Sequence, residues 1–169
     1  MADTRILTYT DKKKLEEQLA ELNEEKKRVA EEIGTAKGFG DLSENAEYDA
    51  AKAHEAEVYG NIARIEAELR TATFVDDSVA DTTTAALGTV VRVLDMEYDE
   101  EDEYTLVGFT EADPAKLYIS NESPIGIALI GKSEPGKADY VPPARVGDTV
   151  EADTPGGIVR LKVLSIRKR

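Results

Sequence analysis

The chain has 169 residues, 41% of them apolar, and carries 35 acidic against 21 basic side chains for a formal net charge of −14. That length permits one domain or two small ones, and that charge disfavours a general grip on a nucleic-acid duplex, so contact with RNA or DNA must be local or brokered by a partner protein. Cysteine is absent, which excludes disulfides, thiolate catalysis and Cys-based zinc sites together.

The N-terminus leads into a charged segment with no apolar core, and no run of about 18 apolar residues occurs, so neither a signal peptide nor a membrane span is expected. The expectation is a soluble, cytoplasmic protein. Thr8-Tyr9-Thr10-Asp11 has capping-box spacing and predicts a helix from Thr8 to about Lys37. Its roughly 28 residues would extend about 42 Å, and Gly38 and Gly40 would close it. A second helix is expected to open at Asp41 and run to about Thr71, with Ala46, Ala50, Ala51, Ala53 and Ala56 permitting a close approach of the two.

The apolar positions step by fours and threes, as a helix seam does. They are Leu15, Leu19, Leu22, Val29, Ile33 and Ala36 upstream, then Tyr48, Ala51, Val58, Ile62, Ile65 and Leu69 downstream. Facing residues of an antiparallel hairpin keep a nearly constant sum of positions. Leu15 with Ile65, Leu19 with Ile62, Leu22 with Val58, Val29 with Ala51 and Ile33 with Tyr48 all give 80 or 81. Lys26 with Glu55 keeps the same sum and is expected as an ion pair across the seam, a register device. The centre falls between Gly40 and Asp41, which puts Asp41 and Glu44 at the hairpin turn.

From Thr71 to Leu87 the sequence loses helical period and reads as a linker, with the boundary near residue 76. The expected domains are 1–75, a coiled-coil finger; 76–87, a linker; and 88–169, a second domain. Charge does not separate the halves, but pattern does. Strands are expected at 89–94, 104–108, 117–120, 146–152 and 158–166, with the acidic run 99–103 at a solvated hairpin end. Ser123 as cap, Pro124 at the first helical position and Gly131 as stop predict one short helix. The fold class is α+β: an N-terminal antiparallel helical hairpin, then an antiparallel sheet with one short helix.

Taken alone, Asp41-Leu42-Ser43-Glu44 is a capping box, with acids at the positive end of a helix. The other reading is that the carboxylates are presented to a divalent cation or a water. Two carboxylates are too few to hold Mg²⁺, which takes about six oxygens, so a stand-alone nuclease is disfavoured. His54, the single histidine, is expected as a solvated helix residue.

Gly40-Asp41-Leu42-Ser43-Glu44-Asn45-Ala46-Glu47-Tyr48, followed by Ala50-Ala51-Lys52, resembles the tip signature of the bacterial GreA/GreB transcript cleavage factors. Asn121-Glu122-Ser123-Pro124-Ile125, Ala128-Leu129-Ile130-Gly131-Lys132, Val146-Gly147-Asp148 and Thr154-Pro155-Gly156-Gly157 resemble that family's C-terminal domain. The resemblance covers most of the chain and lies nearer the GreA than the GreB branch, since the finger is not strongly basic.

It implies a finger that enters the secondary channel of bacterial RNA polymerase and a C-terminal FKBP-like domain that docks at the channel rim. The factor would not itself be an enzyme; it would stimulate the polymerase's intrinsic cleavage of backtracked RNA. Asp41 and Glu44 would be the catalytic tip acids, sharing an Mg²⁺ held mainly by the polymerase and bound by no stable site of the chain alone. Lys37 and Lys52 would meet the RNA 3′ segment, Ser123 and Pro124 would belong to the rim-docking loop, and Ser43 and Asn45 would support the tip. No membrane partner is implied, and a monomer is expected.

Two departures stand out. Asp49 replaces the family's usual histidine and adds negative charge, which keeps open a channel-blocking inhibitor without cleavage. Residues 133–145 read as an inserted surface loop. A coiled-coil adaptor with a purely structural tip is the third alternative.

Overall fold

The computed structural model describes residues 4–38 and 45–169, and its first helix begins where the capping box places it. Asp11 N donates to Thr8 Oγ1 over 3.0 Å, and Thr8 N donates to Asp11 Oδ2 over 2.9 Å, the reciprocal pair that closes a helix N-terminus. Helix α1 spans Tyr9–Lys37 and α2 spans Ala46–Thr71. The chain forms two compact units. One comprises residues 4–6 and Lys12–Thr73, the other Leu7–Asp11 and Phe74–Arg169.

In the first unit the expected rungs are packed. Val29, Ile33, Ala51, Val58 and Ile62 make one buried cluster, with Leu19, Leu22 and Tyr48 against it. Leu15 and Ile65 are buried as well. Each such aliphatic side chain contributes about 1.5–3 kcal/mol by leaving water. The Lys26–Glu55 rung is different. Glu55 Oε1 accepts from Lys52 Nζ at 2.6 Å on its own helix, and Lys26 Nζ lies 4.7 Å from the centroid of the Tyr59 ring. A partner three residues away is reached with less ordering than one across the seam, and the aromatic face attracts the ammonium left over.

Strands β1 (Ile6–Thr8) and β2 (Thr73–Val75) form a two-stranded sheet. The segment 76–87, expected as a linker, lies in the second unit. Asp76 caps a 3₁₀ turn at Asp77–Val79 through Ser78 N. Ala80, Ala85 and Leu87 are buried, and Ala85 N donates to Ala144 O over 2.8 Å. Alanine packs here without leaving a periodic signature.

The rest of the second unit is built on β3 (Thr89–Asp95), β4 (Glu100–Val107), β5 (Tyr118–Ser120), α3 (Pro124–Ile130), β6 (Thr149–Thr154) and β7 (Gly157–Lys168). The strand order is β5-β4-β3-β7-β6. Three junctions are antiparallel, and β5 joins β4 in parallel. The chain returns between those two strands through 3₁₀ turns at Phe109–Glu111 and Pro114–Lys116, a crossover that a parallel pair requires.

Of the acidic run 99–103, expected at the hairpin end, only Asp99 lies in the turn, and 100–103 belong to strand β4. The turn is made by Asp95, whose Oδ1 accepts from Glu97 N and Tyr98 N, and β4 starts at Glu100. Its acids take cross-strand arginines, Glu101 with Arg92 and Glu103 with Arg167. The core gathers Val91, Val93, Tyr104, Leu106, Ile119, Leu129, Leu161 and Val163. Residues 133–140 are exposed, and the segment beyond them ends on buried Ala144, whose N donates to Leu129 O over 2.8 Å.

Candidate functional site

The described residues marked for function occupy two places: the helix ends that flank the hairpin connection in the first unit, and the start of α3 in the second. At the hairpin end α1 finishes with Gly38 N donating to Thr35 O over 3.0 Å. Helix α2 starts at Ala46, not at Asp41. Its N-cap is Asn45, in an extended conformation that a helix cannot run through. Asn45 Oδ1 accepts from Glu47 N and Tyr48 N, each over 3.1 Å, satisfying two of the amides that every helix start leaves unpaired.

The same side chain donates from Nδ2 to Ala36 O over 2.8 Å, one of the carbonyls that the end of α1 leaves without a helical partner. Asn45 therefore ties the end of one helix to the start of the next, the support expected of it. Asp41, Glu44 and Ser43 fall in the connection 39–44, outside the described residues.

Lys37 is exposed in the last turn of α1, where a cation suits the negative end of the helix. Lys52 is exposed too, but its ammonium is hydrogen-bonded to Glu55, and that bond holds its pKa above the ordinary lysine value. Asp49 is exposed in the first turn of α2, a position that the positive helix end favours.

His54 is not a bystander in solvent. Its Nε2 lies 2.7 Å from Glu25 Oε1 and its Nδ1 3.7 Å from Glu32 Oε2, both on α1. The hydrogen bond to Glu25 is the first cause that raises its pKa above the ordinary histidine value. The rung spacing puts position 54 opposite 26 and 27, beside Glu25, and is the signal that finds this pair. Among the described residues no group of three or more His, Asp or Glu side chains is placed to hold a metal ion.

At the start of α3, Ser123 Oγ accepts from Gly126 N over 3.0 Å and donates to Ser120 O over 2.7 Å. Pro124 follows at the first helical position and is exposed. A Cβ on Gly126 would lie 1.7 Å from Ser120 O, so glycine alone lets the 120–123 turn close onto the helix. Ser123 is thus the cap that the Ser-Pro spacing predicts.

Comparison with known proteins agrees with both halves. A family profile described as transcription elongation factor, N-terminal, matches residues 5–73, and one described as transcription elongation factor, GreA/GreB, C-term, matches residues 80–168. Transcription elongation factor GreA of Acetivibrio thermocellus is 46% identical over 164 residues, covering 96% of each chain. Its counterpart in Thermoanaerobacter pseudethanolicus is 47% identical over 169 residues, covering 99% of this chain and 100% of the relative. A solved structure of GreA factor homolog 1 of Thermus thermophilus shares 24% identity at a TM-score of 0.42, over 97% of this chain and 99% of that one. Matched along almost its whole length, the chain belongs to the GreA/GreB family of transcription elongation factors.

Proposed function

We propose that the chain is a cytoplasmic, monomeric accessory factor of bacterial RNA polymerase. Its helical hairpin enters the enzyme's secondary channel and stimulates the polymerase's own cleavage of backtracked RNA, so that the factor is not itself an enzyme. The observation that carries the reading is the cap of α2. Asn45 does that work, so capping α2 no longer accounts for Asp41 and Glu44 in the connection between the helices. Membership of the GreA/GreB family supports the same reading.

Carboxylate oxygens are donors of the hard kind Mg²⁺ takes, yet two of them fill few of about six positions. The polymerase's aspartates would hold the ion, and Asp41 and Glu44 would join its shell. When bound, that ion activates a water for attack on the RNA phosphodiester. The chain's own residues bring negative charge and a proton acceptor to that water. Lys37 and Lys52 meet the phosphates of the RNA 3′ segment, Lys52 exchanging Glu55 for the RNA.

Residues 1–75 serve as the inserted finger and 88–169 as the domain that docks at the channel rim through Ser123 and Pro124. The hydrogen bonds around Ser123 favour that role, because they fix the turn that presents the exposed Pro124. Exposed Asp49 favours a second reading, in which extra negative charge makes the finger a channel blocker.

A stalled, backtracked polymerase complex supplied with Mg²⁺ tests both. The wild-type chain is expected to release a short 3′ fragment. Asp41→Ala combined with Glu44→Ala should compete for polymerase as before but lose about 100-fold or more of the stimulation, the scale on which positioned charge acts. Wild-type binding that leaves the transcript whole would establish the inhibitor instead.

A further inference from the structure

We propose that His54 is a proton-dependent brace between the two helices of the hairpin. Its ring sits between two carboxylates of α1, with Nε2 2.7 Å from Glu25 Oε1 and Nδ1 3.7 Å from Glu32 Oε2. Those glutamates are one heptad apart, about 10 Å along the helix axis. One side chain of α2 therefore engages α1 at two points about two helical turns apart and opposes sliding of one helix along the other.

A neutral imidazole carries one N–H. Whichever nitrogen holds it, the other turns a lone pair towards a carboxylate. The imidazolium carries both protons and suits both glutamates. Arg28, Glu31 and Glu32 of α1 and Glu47 of α2 line the same groove as His54, and Lys52 and Glu55 form their own pair close by on α2. Around the ring, Glu25, Glu31, Glu32 and Glu47 favour its positive charge and Arg28 opposes it. The carboxylates prevail, and the Glu25 hydrogen bond leads in raising the pKa.

The sign follows from linkage. A histidine whose pKa is raised on folding adds stability that is complete below its unfolded value, about 6.5, and is lost as pH rises through the folded value. The brace is therefore fully closed below about pH 6.5 and opens as pH rises through the folded value, which lies above it. It rests on the hairpin geometry alone and is independent of what the hairpin does to a polymerase.

Because the chain has a single histidine, one imidazole signal in an NMR titration of the intact protein reports the brace directly. The midpoint should lie above that of the same residue in the urea-unfolded chain, and Glu25→Gln and Glu32→Gln should each lower it. The loss in Tm on His54→Gln should be larger at about pH 6 than at about pH 9. A folded midpoint at or below the unfolded one overturns the proposal. So does a midpoint unmoved by either glutamine variant, or a His54→Gln deficit of equal size at both pH values.

Discussion

A single asparagine decides how the hairpin end is read. Asn45 gives its carbonyl oxygen to two amides of α2 and its amide to a carbonyl of α1. Asn45→Ala removes all three bonds and is expected to cost about 1–2 kcal/mol, the upper range for a helix cap, measured as a lower urea midpoint. Asn45→Asp keeps the acceptor and loses only the donor to Ala36 O, so it should recover part of that loss. Read locally, the sequence opens α2 at Asp41, on the capping box it makes with Glu44, and gives Asn45 only a supporting role at the tip. Local spacing favours the box. The asparagine prevails because its amide also reaches Ala36, nine residues back, a contact that exists only once the two helices have met. Lys26 teaches the same lesson: its helix was legible, its partner was not, since a long side chain chooses among several neighbours by fractions of a kcal/mol.

Elements were legible where their determinants are local. The Thr8–Asp11 box, the Ser123–Pro124 start of α3 and the seven-residue rhythm of α1 and α2 each lie within a few residues, and each formed as read. The parallel β4–β5 edge and the acidic start of β4 depend on partners far along the chain. Glu101 and Glu103 have no strand preference of their own; Arg92, on the neighbouring strand β3, and Arg167, on β7, supply the cross-strand charges. Asp11 joins both cases. Besides capping α1, its buried carboxylate accepts from Thr110 N over 3.0 Å and from Thr110 Oγ1 over 2.5 Å, and a Cβ on Gly108 would fall 2.0 Å from its Oδ2. Asp11→Ala strands the Thr8 and Thr110 amides away from water. It should cost about 2–4 kcal/mol, more than a cap alone, again measured by denaturant unfolding.

At the scale of the whole molecule, two habits of sequence meet in one chain, a period near seven through residue 69 and a period near two beyond residue 89. Each builds its own core, Val29 to Ile62 in the first unit and the Val91–Leu129–Val163 group in the second. The charge of −14 is shared between them, so the molecule as a whole repels a nucleic-acid duplex. The constant sum of facing positions has a consequence of its own: the hairpin is a ruler with equal graduations on both arms. Removing 15–21 together with 59–65 takes one whole graduation from each arm and leaves Lys37 and Lys52 in place. Leu22 then still faces Val58 and Val29 still faces Ala51, on a hairpin shorter by about 10 Å. Such a variant should stay helical by circular dichroism and still bind polymerase, yet stop short of the reacting phosphate and stimulate no cleavage. Removing either segment alone shifts one scale against the other and should abolish cooperative unfolding of the hairpin. Reach would then be a property of chain length that evolution can change only in paired steps of seven.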